Sequence, residues 1–166
     1  MKKVGIIIEN DSDLPVMKGA INSIKSFGIP LVVHVISAHR TPDIAREFAT
    51  TAKEQNFGVI IVADSKAGHL AGTLAAYTTL PVIAIPCKTE DLGGLDSLLS
   101  AVQMPNGVPV ATVAIDGSEN AGVLAAQILG IHNDIISEKL EGMKKHMVEE
   151  FVKKDEKLQT DIWWKL

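Results

Sequence analysis

"VGIIIENDSDLPVMKGAINSIKSFGIPLVVHVI", residues 4–36, decides the fold. It opens on a continuous branched run, Val4 to Ile8, the mark of a strand covered on both faces. Val16, Ala20, Ile24 and Phe27 follow at helical spacing. Ser12 or Asp13 can cap that helix at its start and Gly28 can end it. A second apolar run, "LVVHVI" over 31–36, closes the stretch. Strand, helix and strand in succession make a crossover unit, which sets the two strands parallel and winds to the right.

The alternation continues outward. "TPDIAREFATTAKEQN" (41–56) predicts a helix with Ile44, Phe48 and Ala52 on one face, started by Pro42. "GVIIVAD" (58–64) predicts a third strand, "AGHLAGTLAAYTT" (67–79) a small-residue helix and "PVIAIP" (81–86) a fourth strand. "LDSLLSAVQM" (95–104) reads as a short helix, "VPVATVAI" (108–115) as a fifth strand and "SENAGVLAAQILGI" (118–131) as a further helix. Such repetition implies an α/β fold: a doubly wound parallel sheet in three layers, with helices on both faces. The stretch 133–160 differs. It is a long charged helix with Ile135, Leu140, Met143, Met147 and Phe151 as a thin apolar stripe. The chain therefore divides into an α/β domain over 1–132 and a C-terminal helix and tail over 133–166. The narrow stripe fits a solvated cover on the sheet or packing on a neighbouring subunit. The adjacent Trp163 and Trp164 are costly to leave wet and are expected to dock.

Composition narrows the function classes. At 166 residues, folding buries about two-thirds of the chain's surface, so no disulfide or metal staple is needed. A net charge of -4 argues against a nucleic-acid partner, which calls for a basic face. The single Cys87 cannot form an internal disulfide and fits a reducing compartment. The run after Lys2 and Lys3 meets Glu9 and Asp11 at once, unlike a signal peptide. No segment reaches the roughly 20 apolar residues of a membrane-spanning helix. A cytoplasmic protein without nucleic-acid or membrane partners is expected.

In an open parallel sheet, ligands bind outside the carboxyl ends of the strands. The loops that follow the strands are "ENDSD" (9–13), "SAHR" (37–40), "DSKAGH" (64–69), "CKTEDLGG" (87–94) and "DGSEN" (116–120). Four of the five carry groups suited to a small anion. Ser12 and Asp13 stand at a helix start, which is either capped or anion-binding. Arg40 stands at the next, able to grip a phosphate through two parallel hydrogen bonds or to form a weak surface pair. His39 and His69 fit either acid–base chemistry or a structural role, and Lys66 and Glu90 face solvent by default. No metal-ligand spacing, phosphate-binding P-loop or nucleophile elbow occurs. The residues alone point to a small phosphorylated molecule beside one or two histidines, without fixing the reaction.

"SAHRTP" (37–42), "AGHLAG" (67–72), "TTLPVIAIP" (78–86), "GLDSLLSAVQMPNGVPVATVAI" (94–115) and "NAGVLAAQILG" (120–130) resemble the 5-(carboxyamino)imidazole ribonucleotide mutases of purine biosynthesis. The resemblance runs from about residue 4 to residue 131, and an arginine after the histidine is similar to the mutase class. It implies a flavodoxin-like sheet, a homo-octamer with active sites at subunit junctions, and no metal or organic cofactor. It implies a reaction in which carbon dioxide leaves an exocyclic nitrogen and is captured by ring carbon 4, a histidine moving the proton. By position, His39 is the acid–base histidine and His69 the second histidine. Arg40, Ser37 and Ser12 become phosphate ligands, and Asp13 holds the ribose hydroxyls. Asn10, Ala38, Lys66, Ala67 and Gly68 complete the substrate-binding set. A wall of small residues such as "AGHLAG" suits retention of carbon dioxide.

The same resemblance marks departures. Where the family reads "MGSxSD" this chain has "IENDSD", with Glu9 for glycine and Asn10 for serine. Where it reads "GAGGAAHLPGM" this chain has "ADSKAGHLAGT", placing Asp64, Ser65, Lys66, Ala71 and Thr73 at altered positions. Near "GGAGNAG" it has "DGSENAG", which begins at Asp116. The changes gather in the carboxyl-end loops. They leave open a mutase with an unusual pocket, a paralogous carboxylase or decarboxylase on another heteroaromatic or nucleotide carboxylate, and a non-catalytic nucleotide-binding octamer. Glu9 and Asp64, ending neighbouring strands, are expected to point into one crevice. Lys66 is expected to pair with one of them and shrink the pocket.

Overall fold

The structure is a computed structural model and describes residues 1–162. Five strands, β1 (Lys3–Ile8), β2 (Leu31–Val35), β3 (Phe57–Asp64), β4 (Val82–Pro86) and β5 (Ala111–Thr112), form one sheet in the order β2-β1-β3-β4-β5. Every pairing is parallel. The helices are α1 (Leu14–Ser26), α2 (Pro42–Thr51), α3 (Leu70–Tyr77), α4 (Leu95–Val102), α5 (Ser118–Gly130) and α6 (Asp134–Ile162). This is the flavodoxin-like, doubly wound order. The winding reverses at β1 and opens a crevice at the carboxyl ends of β1 and β3.

Side chains alternate across the sheet and feed two cores. On one face Val4, Ile6, Ile8, Val59, Ile61 and Ile83 pack with Met17, Ala20 and Ile24 of α1 and Ala121 and Ala125 of α5. On the other, Ile7, Ile60, Val62 and Ala84 pack with Ala45 and Phe48 of α2 and Leu70 and Leu74 of α3. Helices α1 and α5 approach closely because Gly122 has no side chain. A Cβ there would stand 2.7 Å from Ser23 Cβ and 3.0 Å from the Ala20 carbonyl oxygen.

Several sequence expectations are corrected. Neither Ser12 nor Asp13 caps α1 through its side chain. A single 3-10 turn, Asp11–Asp13, precedes the helix. An N-cap side chain would accept from the second or third amide of the helix, and the second residue here is Pro15, which has none. The buried face of α2 is Ala45, Phe48, Ala49 and Ala52, while Ile44 is exposed. Helix α3 begins at Leu70 rather than at 67, because Lys66 and Gly68 take positive φ values of 54° that no helix accepts. The apolar run of β2 does not make it a buried strand. It forms the sheet edge, with Val33, His34 and Val35 exposed.

Strand β5 keeps two residues of the expected eight. Pro109 cannot donate to the ladder, although Val113 N and Asp116 N still reach the carbonyls of Ala84 and Pro86. Of the stripe expected on α6, Leu140 and Met143 reach the core, and Ile136, outside that stripe, is fully buried. Ile135, Met147 and Phe151 are exposed, as is every residue from Lys144 to Ile162. The expected docking of Trp163 and Trp164 lies outside the described residues. Among those residues no helix is long and apolar enough to cross a membrane.

Candidate active site

The turn after β2 is built around Ser37. Its backbone N–H donates to Thr41 Oγ1 at 2.9 Å, and Thr41 Oγ1 returns a bond to the Ser37 carbonyl at 3.1 Å. The buried Ser37 hydroxyl donates to Glu9 Oε1 at 2.9 Å and receives the amides of His39 and Arg40 at 3.4 and 3.2 Å. With Pro42 fixing the first turn of α2, this network pins the turn and leaves the His39 and Arg40 side chains exposed.

His39 then meets the loop after β3. Its Nε2 stands 2.9 Å from His69 Nδ1, the two rings edge-to-face with centroids 4.8 Å apart. Its Nδ1 stands 3.6 Å from Glu9 Oε1. His69 is placed by its position immediately before α3, with its carbonyl accepting from Thr73. Three elements thus bring one carboxylate and two imidazoles into line at the crevice.

Asp64 does not enter that crevice. It is fully buried, and its carboxylate accepts the amides of Leu70 at 3.1 Å and Ala71 at 3.0 Å. The helix start of α3 is therefore already occupied by an internal anion. Burial pushes the Asp64 carboxyl up to about 6, against the pull of those two amides, with the charges of Glu9 and Asp13 adding to the rise. Burial also raises the Asp13 carboxyl, which accepts the Asn10 amide at 3.3 Å. Lys66 pairs with neither Glu9 nor Asp64. Its ammonium reaches Asp91 in the loop after β4, at 3.1 Å, which overturns the expected pairing.

A cavity of about 490 Å³ remains at this place, lined by Glu9, Asn10, His39, Arg40, Ser65 to Gly68 and His69. A second, of about 530 Å³, is lined by Ala38, His39, Ala67, Gly68, His69, Thr73, Gln103 and Met104. The two histidines border both. The room beside His39 is thus open rather than filled by lysine. Asn10, Arg40, Lys66, Ala67, Gly68 and both histidines line the first cavity, and Ala38 the second. Ser12 and Asp13 lie outside both. Asn10 Oδ1 also accepts the Ser12 amide at 3.5 Å, closing the turn before α1. No three metal-binding side chains converge among the described residues.

Two site features were not assigned roles by sequence reasoning. Glu9 stood out as an altered position, but only its contact with Ser37 and His39 shows what it does. Asp64 carried a signal in its place, an acid at a strand end six residues before a helix, which is a capping distance once the loop folds back.

Comparison with known proteins identifies relatives of the chain. The AIR carboxylase family model matches residues 3–150. The chain is similar to the N5-carboxyaminoimidazole ribonucleotide mutase of Thermotoga maritima, 51% identical over 159 residues, 96% of this chain and 93% of that protein. It is equally similar, at 51% over 160 residues, to the mutase of Pyrococcus horikoshii, covering 96% of this chain and 90% of that one. Among solved structures, PurE of Treponema denticola superposes with a TM-score of 0.87 over 95% of this chain and 99% of its own. At 23% identity that likeness speaks to the fold alone.

Proposed function

The chain belongs to the AIR carboxylase family, and we propose that it is an N5-carboxyaminoimidazole ribonucleotide mutase acting in purine biosynthesis, as its relatives are named. The observation that carries this is the histidine pair, Nε2 to Nδ1 at 2.9 Å, bordering an open cavity beside Arg40. Imidazole is the side chain that both gives and takes a proton near neutral pH. Arg40 supplies a planar fork for a phosphate, while Asn10 and the Lys66 to Gly68 loop line the remainder of the cavity. Ser37 acts by holding that turn, and by the family resemblance Ser12 serves the phosphate and Asp13 the ribose hydroxyls. In this reading carbon dioxide leaves the exocyclic nitrogen, stays within the closely walled site and is captured by ring carbon 4. His39 moves the proton and no metal or organic cofactor takes part.

The chain works as a homo-oligomer, an octamer by its family resemblance, in the cytoplasm. The α6 arm beyond Met143 packs on a neighbouring subunit. A paralogous carboxylase or decarboxylase is favoured by one observation, the Glu9 carboxylate in the cavity wall. Lys66, paired with Asp91, and Asp64, held by the first amides of α3, no longer favour it. Purified protein given N5-carboxyaminoimidazole ribonucleotide is expected to form the ring-carboxylated isomer, and His39→Asn to lower kcat by about a hundredfold or more. A wild-type protein without this turnover would remove the mutase reading and leave the paralogue.

A further inference from the structure

Glu9 is a sheltered carboxylate facing an open imidazole: the side chains are 16% and 63% exposed. Its Oε1 accepts the Ser37 hydroxyl at 2.9 Å and lies 3.6 Å from His39 Nδ1. An ionised carboxylate has no proton to donate. The Nδ1 edge of His39 that faces it is therefore favoured as the N–H, which leaves Nε2 as an acceptor. The 2.9 Å contact then needs its proton on His69 Nδ1, which leaves His69 Nε2 bare. One proton placement satisfies all three groups.

We propose that Glu9 is a positioning residue for the acid–base pair. It fixes the tautomer of His39 and, through it, that of His69, so that the two histidines act as one relay. When His69 Nε2 accepts a proton, the Nδ1 proton of His69 passes to His39 Nε2. One proton enters, one shifts, and the single positive charge comes to rest on His39 beside the Glu9 carboxylate. At 3.6 Å the contact is long for a hydrogen bond. It tightens as a charge-assisted bond when the imidazolium forms.

Only the kinetic part of this inference rests on the mutase reading. Glu9→Gln keeps an acceptor for the Ser37 hydroxyl and removes the charge, which separates positioning of the histidines from support of the turn. With N5-carboxyaminoimidazole ribonucleotide as substrate, Glu9→Gln is expected to lower kcat by about tenfold or more while KM stays within about threefold. Ring-nitrogen NMR, with His39 assigned by comparison with His39→Asn, is expected to show Nδ1–H on His39 in the wild type. In Glu9→Ala its signals should move toward the Nε2–H form. A kcat for Glu9→Gln within about twofold of wild type, or ring-nitrogen shifts of both histidines unchanged in Glu9→Ala, overturns the proposal. If the wild type turns over no substrate, the mutase reading fails by itself. The ring-nitrogen comparison then decides for Glu9 alone: moved signals support it and unchanged signals overturn it.

Discussion

Asp64 shows how a single residue can be legible in position and illegible in role. Its place at the end of β3, where the family resemblance implies a small residue, marked it as a pocket acid. The folded loop instead turns its carboxylate back onto the first amides of α3. Sequence gives no direction to a side chain at a strand end, because one ψ angle decides between crevice and helix cap. The buried carboxyl is pushed up to about 6, above the ordinary aspartate range. The folded chain therefore holds a proton that the unfolded chain releases from about pH 4 upward. On this account stability is greatest below that pH and declines as pH rises to about 6, by about 3 kcal/mol at most. Urea unfolding of the wild type at pH 4.5 and pH 7 is expected to show that decline, and Asp64→Asn to flatten it. Equal declines in the two proteins would mean that the carboxyl is ionised throughout.

Elements were legible where periodicity ran long and illegible where a local feature cut it short. Runs such as Val4 to Ile8 and Val59 to Ala63 carry enough branched residues to declare themselves, and they pair in the expected sheet. Strand β5 and the start of α3 were drawn too long, since apolar composition does not reveal a missing amide at Pro109 or a left-handed turn at Lys66. The α1–α5 seam was invisible for another reason. Gly19 and Gly122 look like helix-weakening residues until the two helices are laid together. A Cβ on Gly19 would stand 2.5 Å from Ser118 Oγ and 3.0 Å from the Glu119 amide. Gly122→Val is expected to cost about 1–3 kcal/mol in urea unfolding, because Ser23 and the Ala20 carbonyl belong to a helix held on the sheet and cannot yield freely. A change below 0.5 kcal/mol, the scale of ordinary surface substitutions, would show that α1 slides away without loss.

At the scale of the whole molecule, the described chain leaves apolar side chains exposed along two helices. Leu92, Leu95, Leu99 and Val102 are exposed along and just before α4, and Val148, Phe151, Val152, Leu158 and Ile162 along α6. Helix α6 has 29 residues and so runs about 43 Å, but its packing on α5 ends near Met143. Beyond that point every described residue is exposed, and Lys154 Nζ stands 4.8 Å from the Phe151 ring centroid. Helical stability in proteins comes mostly from packing an amphipathic face, so a projecting arm of this length calls for a second surface. In the proposed oligomer a neighbouring copy would offer one in its own exposed α4 face or α6 arm. Light scattering is expected to return a mass several times the 17.8 kDa of the chain. Replacing Phe151 and Val152 together by glutamate should lower that mass and reduce the helical signal, because the arm then loses its apolar seat. A mass of one chain for the wild type would remove the oligomer from the account. An unchanged mass in the double variant would move the contact from α6 to the α4 face.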